Sequence, residues 1–139
     1  MRTLALAIGA VAAVSLTACG TAVTSTSPSS GTSSTHAMMM HETGTFMGLN
    51  GKQVSGTVTV TDNQVTLSGF SSDQGPDLHI YLTKGTDETT VAQGSELAPV
   101  SYSTASQTFN LNGVNASGYT YVVIHCDKAK AVFGAAPLS

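Results

Sequence analysis

The chain has 139 residues, enough for one domain, with 5 basic and 8 acidic side chains and a net charge of −3. So sparse a charge excludes a phosphate-tracking surface, which needs clustered Lys and Arg, and no nucleic-acid partner is expected. Ser, Thr, Gly, Ala and Val dominate and Trp is absent, a composition that suits a small β protein with polar outer faces.

The N-terminus reads as an address. Arg2 is followed by the apolar run Leu4–Leu16, 13 residues long and too short for a stable bilayer span. It ends in Leu16-Thr17-Ala18-Cys19, which resembles a bacterial lipobox. The resemblance implies that residues 1–18 are removed as a signal peptide and that Cys19 becomes an acylated N-terminus, carrying acyl chains such as palmitate. Several chains on one residue give a lasting anchor where one is marginal. The expected protein is an extracytoplasmic lipoprotein, anchored to a membrane at the cell surface or on the periplasmic side. Residues 19–43 then form a linker. Within it, Gly20–Thr35 has 11 Ser or Thr among 16 residues and no charge, which suits a tether with little to bury.

Strand patterning begins near Thr43, and residues 44–139 form the expected domain. "GTFMG" reads as a first strand, closed by an Asn50-Gly51 turn. In "QVSGTVTVT", Val54, Val58 and Val60 face one way and Ser55, Thr57, Thr59 and Thr61 the other, the period of a half-buried strand. Asp62-Asn63 makes a two-residue turn into "QVTLSGF". That turn sets Val60 opposite Val65, Val58 opposite Leu67 and Gly56 opposite Gly69, so the apolar positions of both strands share a face.

"GPDLHIYL" follows as a turn and a strand with Leu78, Ile80 and Leu82 inward. "TKGTDETTVAQGSELAPVS" reads as a long surface loop with room for one helical turn. "QTFNL" is a strand ended by Asn112-Gly113. "YTYVVIHC" is apolar on both faces over its middle, as a central strand is, and "KAVFGAAPL" closes the series. The expected fold is all-β: a small antiparallel β-sandwich or partly closed barrel of about seven strands.

Four groups of residues carry candidate chemistry. Cys126 is the only thiol left if Cys19 is acylated. His125 is its neighbour in sequence but points to the opposite face of a regular strand, so a base for a catalytic cysteine would have to be His79 or His41. Cys126 fits a small core residue, a redox thiol or metal ligand at a rim, or one half of an intermolecular disulfide. "HAMMMHETGTFM" gathers every Met beyond the initiator. Its His36, Met38, Met39, Met40 and His41 offer soft thioethers and imidazoles suited to copper, or else a hydrophobic lead-in that docks on a sheet edge. His79 and Tyr81 offer a ligand face or a polar outer face, and His79 and His125 are further candidate metal ligands. The acids Asp73, Asp77, Asp87 and Glu88 are too scattered for a calcium loop. No His or Met follows Cys126, which excludes a standard blue-copper site.

Taken in order, "GTFMG", "VSGTVTV", "VTLSGF", "GPDLHIYL", "YVVIHCDKAK" and "AVFGAAPL" resemble the DM-thirteen domain. This is a small extracytoplasmic β module found beside DOMON domains in animal surface proteins and in bacterial lipoproteins. The resemblance spans about Gly44 to Leu138 and implies a redox or electron-transfer role, with Cys126 as the working residue and a redox partner protein. Two departures stand out: His125 and Ala129 occupy positions where the family commonly has aromatics. The domain is expected to be a partner in redox chemistry and not a stand-alone enzyme. The alternatives are a non-enzymatic surface binding or adhesion module, and a copper-binding lipoprotein using the Met/His segment. Burial of Cys126 among aliphatic side chains favours the binding module.

Overall fold

The computed structural model describes residues 39–139. The expected signal peptide, Cys19, His36 and Met38 lie outside the described residues.

The strands are β1 (His41–Thr45), β2 (Met47–Gly48), β3 (Val54–Thr61), β4 (Gln64–Ser72), β5 (Leu78–Thr83), β6 (Ser95–Pro99), β7 (Gln107–Asn110), β8 (Tyr121–Cys126) and β9 (Ala131–Pro137). A five-residue helix, α1 (Glu88–Ala92), and a 3-10 turn (Ala116–Gly118) complete the described elements. The strands form two antiparallel sheets, β1-β3-β4-β7 and β2-β9-β8-β5-β6. The fold is an all-β sandwich, and the sheets do not close into a barrel.

The described residues hold nine strands where about seven were expected. "GTFMG" is two strands: β1 pairs with β3 in one sheet and β2 with β9 in the other. Phe46 lies at the crossing, buried in the core. Strand alternation in so short a run carries no sign of this change of sheet. The second addition is β6, inside the expected long loop; it gains its backbone partners from β5, and its own half-buried sequence has little strand pattern.

The β3–β4 hairpin has Val60 opposite Val65 and Val58 opposite Leu67, as the two-residue turn requires. Gly56 opposite Gly69 is corrected. The register shifts between Ser55 and Thr57, and both glycines sit at the bulge with positive φ, 113° and 59°. At the Asn50-Gly51 turn both residues also have positive φ, 53° and 73°, the pairing that hairpin turns of the primed type demand.

The space between the sheets is filled by Val58, Val60, Leu67, Ile80, Leu82, Ile124 and their neighbours, all nearly inaccessible. Each such side chain contributes about 1.5–3 kcal/mol by leaving water. A second, smaller apolar cluster lies on the outer face of the five-stranded sheet, where Val91 of α1 packs on Val123, Val132 and Ala135. Asp87 caps α1 by accepting a hydrogen bond from Thr90 N at 3.0 Å. Gly94 ends the helical turn, and a side chain there would strike Leu82 O at 2.6 Å. The helix is thus held tightly over β5, and its first residue, Glu88, reaches the polar part of the same face. Among the described residues no helix is long and apolar enough to cross a membrane.

Candidate functional site

Alternation in β5 and β8 assigns the two faces of the five-stranded sheet. Leu78, Ile80 and Leu82, with Ile124 and Cys126, belong to the core between the sheets. His79, Tyr81 and His125 take the outer face. The pairing of β5 with β8 sets His79 opposite His125 and Leu78 opposite Cys126. One step beyond that pair, Asp127 N donates to Asp77 O at 2.9 Å. Asp77 and Asp127 are therefore clamped together at the strand ends, on the side of the two histidines.

Asp127 is the hub. Its Oδ1 lies 2.6 Å from His125 Nδ1, and the Tyr81 hydroxyl donates to the same carboxylate at 3.0 Å. His125 Nε2 faces Glu88 Oε2 at 2.9 Å, so donation to both carboxylates requires a proton on each ring nitrogen. Tyr81 stacks edge-on against His125, with ring centroids 5.6 Å apart, and its hydroxyl also lies 3.2 Å from Glu96 Oε2. Burial pushes the Asp127 carboxyl up. Hydrogen bonds from His125 and Tyr81, aided by the charges of both histidines, outweigh that and leave it below the usual carboxylate range. Burial, then the Asp127 hydrogen bond and charge, hold the Tyr81 phenol above its ordinary range, so it remains a protonated donor.

His79 is held differently. Its Nδ1 lies 3.0 Å from Asp127 Oδ2 and 3.9 Å from Asp77 Oδ1. The closer contact lies off the line of a ring N–H, so the buried Nδ1 has close anionic neighbours but no hydrogen-bond partner. Its Nε2 lies 3.6 Å from Glu96 Oε1. Donor atoms of Asp77, His79 and Asp127 all lie within 4.8 Å of one another. Beside them opens a cleft of about 400 Å³, lined by Tyr81, Glu88, Glu96, His125, Asp127 and Lys130 among others. Four carboxylates surround two imidazoles here, so the cluster stays negative even with both rings protonated.

Cys126 has no solvent exposure and is a free thiol packed in the main core cluster. The separation expected between Cys126 and His125 is present, and His79, as the cross-strand partner of His125, is on the far side as well. The structure therefore brings His79 and His125 together and leaves Cys126 apart from both. Of the Met/His segment, Met39 is exposed. Met40 packs against the core cluster and its N–H donates to Asp62 Oδ2 at 3.2 Å. His41 opens β1, exposed and opposite Thr61. Met40 thus takes the docking role that thioether filler suits.

Asp77, Glu88, Glu96 and Asp127 are the site residues that sequence reasoning missed. The alternations Asp77-x-His79-x-Tyr81 and His125-x-Asp127 were visible signals, since each set shares one strand face. What joins the two sets is the β5–β8 pairing, and Glu88 and Glu96 arrive from a segment read as loop.

The model of the family described as electron transfer DM13 matches residues 45–138. The chain belongs to this family. The match covers nearly all of the sandwich, from the end of β1 to just beyond β9, and the family's description places the DM13 domain in electron transfer. No curated protein and no solved structure matches the chain significantly. In this DM13 domain the outer-face cluster gathers the groups able to move a proton or hold a cation, while the thiol faces the other way.

Proposed function

We propose that this chain is a lipid-anchored, extracytoplasmic redox module that exchanges electrons with a partner protein near a membrane. Family membership supports the redox class. The lipobox at Cys19 and the Ser/Thr-rich tether support the address. The observation that carries the reading is the family match over residues 45–138; with Cys126 sealed in the core, the face left to serve it is the outer one, where His125 and Asp127 line a cleft.

Thiol–disulfide exchange requires one sulfur to reach another, and a partner cannot reach Cys126 while β8 stays packed. Electron exchange through the outer face needs no exposed thiol, but it needs a redox group held on that face, such as a bound transition-metal ion. The polar cluster is then the face that meets the partner or its redox group. Cys126 takes part as a redox thiol only when the end of β8 opens at the turn into β9, and otherwise acts as core filler.

The full chain, purified in detergent, tests this by voltammetry and by thiol labelling in native buffer. A reversible couple once a first-row metal ion is added, with Cys126 labelled only after unfolding, is the expected result. Fast native labelling would return the role to the thiol. A chain that shows no couple with any first-row metal, and none after thiol oxidation, would sink the redox reading. It would favour a non-enzymatic binding module, the second reading, which the burial of Cys126 also fits.

A further inference from the structure

The geometry points to a binding site for a divalent first-row transition-metal ion on the outer face of the five-stranded sheet, with Asp77, His79 and Asp127 as its protein ligands. The inference deepens the redox reading by naming the chemical class of group that the face would hold.

Three observations carry it. The first is spacing. Asp77 Oδ1, His79 Nδ1 and an Asp127 oxygen stand within 4.8 Å of one another, and His79 Nδ1 is 3.0 Å and 3.9 Å from the two carboxylates. Bonds of about 2.0–2.2 Å to a common ion put neighbouring ligand atoms roughly 3–4 Å apart. Small side-chain rotations suffice to bring all three onto one ion, and the Asp127 N to Asp77 O hydrogen bond already fixes the two backbones.

The second is the orphan donor. His79 Nδ1 is buried against two anionic oxygens and has no hydrogen-bond partner. A buried polar atom left so is uncommon, and a metal ion between ring and carboxylates would satisfy it. The third is the surrounding shell. Ligating carboxylates are commonly held by a second layer of donors. Here Asp127 is held by His125 and Tyr81, and His125 is itself held by Glu88. Glu96 Oε1 lies 3.6 Å from His79 Nε2, outside hydrogen-bond reach but on the side where ligating histidines usually have a carboxylate partner. One imidazole with two carboxylates suits ions such as Zn(II), Fe(II) or Cu(II) better than it suits calcium, which prefers oxygen alone. With three protein ligands the ion keeps open positions for water or a further ligand.

The test is titration of the full chain with Co(II), read by its visible ligand-field bands, and with Zn(II), read by calorimetry. Binding of one equivalent is expected. Asp77→Asn, at the exposed rim, keeps the shape of the side chain and should weaken affinity by at least about tenfold. His79→Ala should weaken it further. Tyr81→Phe should cost about tenfold through its hold on Asp127. A His36→Ala/His41→Ala variant separates this site from the Met/His segment and should bind as the parent does.

Unchanged affinity in both Asp77→Asn and His79→Ala, with folding verified by circular dichroism, overturns the proposal. So does the loss of all binding in the His36→Ala/His41→Ala variant, or no saturable binding by the parent. Zn(II) is redox-silent, so Zn(II) binding at this site without any redox couple leaves the metal site standing and removes only the redox reading.

Discussion

Across the β5–β8 ladder, Leu78, Ile80, Ile124 and Cys126 point into the sandwich, while His79, Tyr81 and His125 point out. The inner face is apolar and buried. The outer face is divided: Val91 seals one part against Val123 and Val132, and the rest is a network of rings and carboxylates around Asp127. The same two strands therefore supply the core that stabilises the domain and the surface that holds its polar cluster. Residues adjacent in sequence, such as His125 and Cys126, are on opposite sides of that division. A thiol beside a histidine in sequence is not a thiol beside a histidine in space.

The sharpest way to stress this contrast is to cut the inner face. Ile124→Ala leaves a cavity between the sheets and should cost about 2–5 kcal/mol by urea unfolding. A cost below that range would mean that the sheets relax together, and that the inner face is looser than its burial implies.

Next comes the hub of the outer face. Asp127→Ala removes the acceptor for His125 and Tyr81 and should cost about 1.5–3 kcal/mol, the range for bonds to charged groups. Asp127→Asn should recover part of that cost. If both variants unfold at the parent's urea midpoint, the network is a surface decoration.

Cys126 separates the two faces more finely. Cys126→Ala removes only a small apolar group, whereas Cys126→Ser places a hydroxyl in the core and should be less stable than Cys126→Ala by about 1 kcal/mol. The reverse order in thermal unfolding would show that the site is wetter than the packing indicates.

The smallest effect concerns α1, which joins the faces by carrying Glu88 to His125. Hydrogen bonds from Thr90 hold Asp87 below the usual carboxylate range. A depressed carboxylate stabilises the fold above its unfolded value, about 3.9, and the contribution is lost as pH falls through the lower folded value. The parent should therefore exceed Asp87→Asn slightly in urea midpoint near pH 6, and the gap should close as the pH drops below about 4. A gap that widens on acidification would contradict the capping role.

Much of the fold was legible from alternation. The Val and Leu positions of β3, β4 and β5 are inward as read, and the hairpin register holds as far as the glycine bulge. The bulge was hidden because two glycines facing each other look like a plain pair in one dimension. β6 was hidden because its strand character comes from pairing with β5. The site was half legible. Single-strand alternation supplied His79, Tyr81 and His125 as one-sided residues, but Asp77 and Asp127 belong together only through the ladder that aligns the ends of β5 and β8.

The sequence by itself determined the all-β class, the apolar faces and the opposition of His125 to Cys126, because side-chain direction in a strand follows a local period of two. Family membership was legible there too, in the ordered strand motifs. Only the tertiary structure decided that Cys126 is sealed and that His79, His125, Asp77, Asp127, Glu88 and Glu96 converge. Burial and convergence depend on which strands pair and what packs across them, and those contacts join residues far apart in the chain.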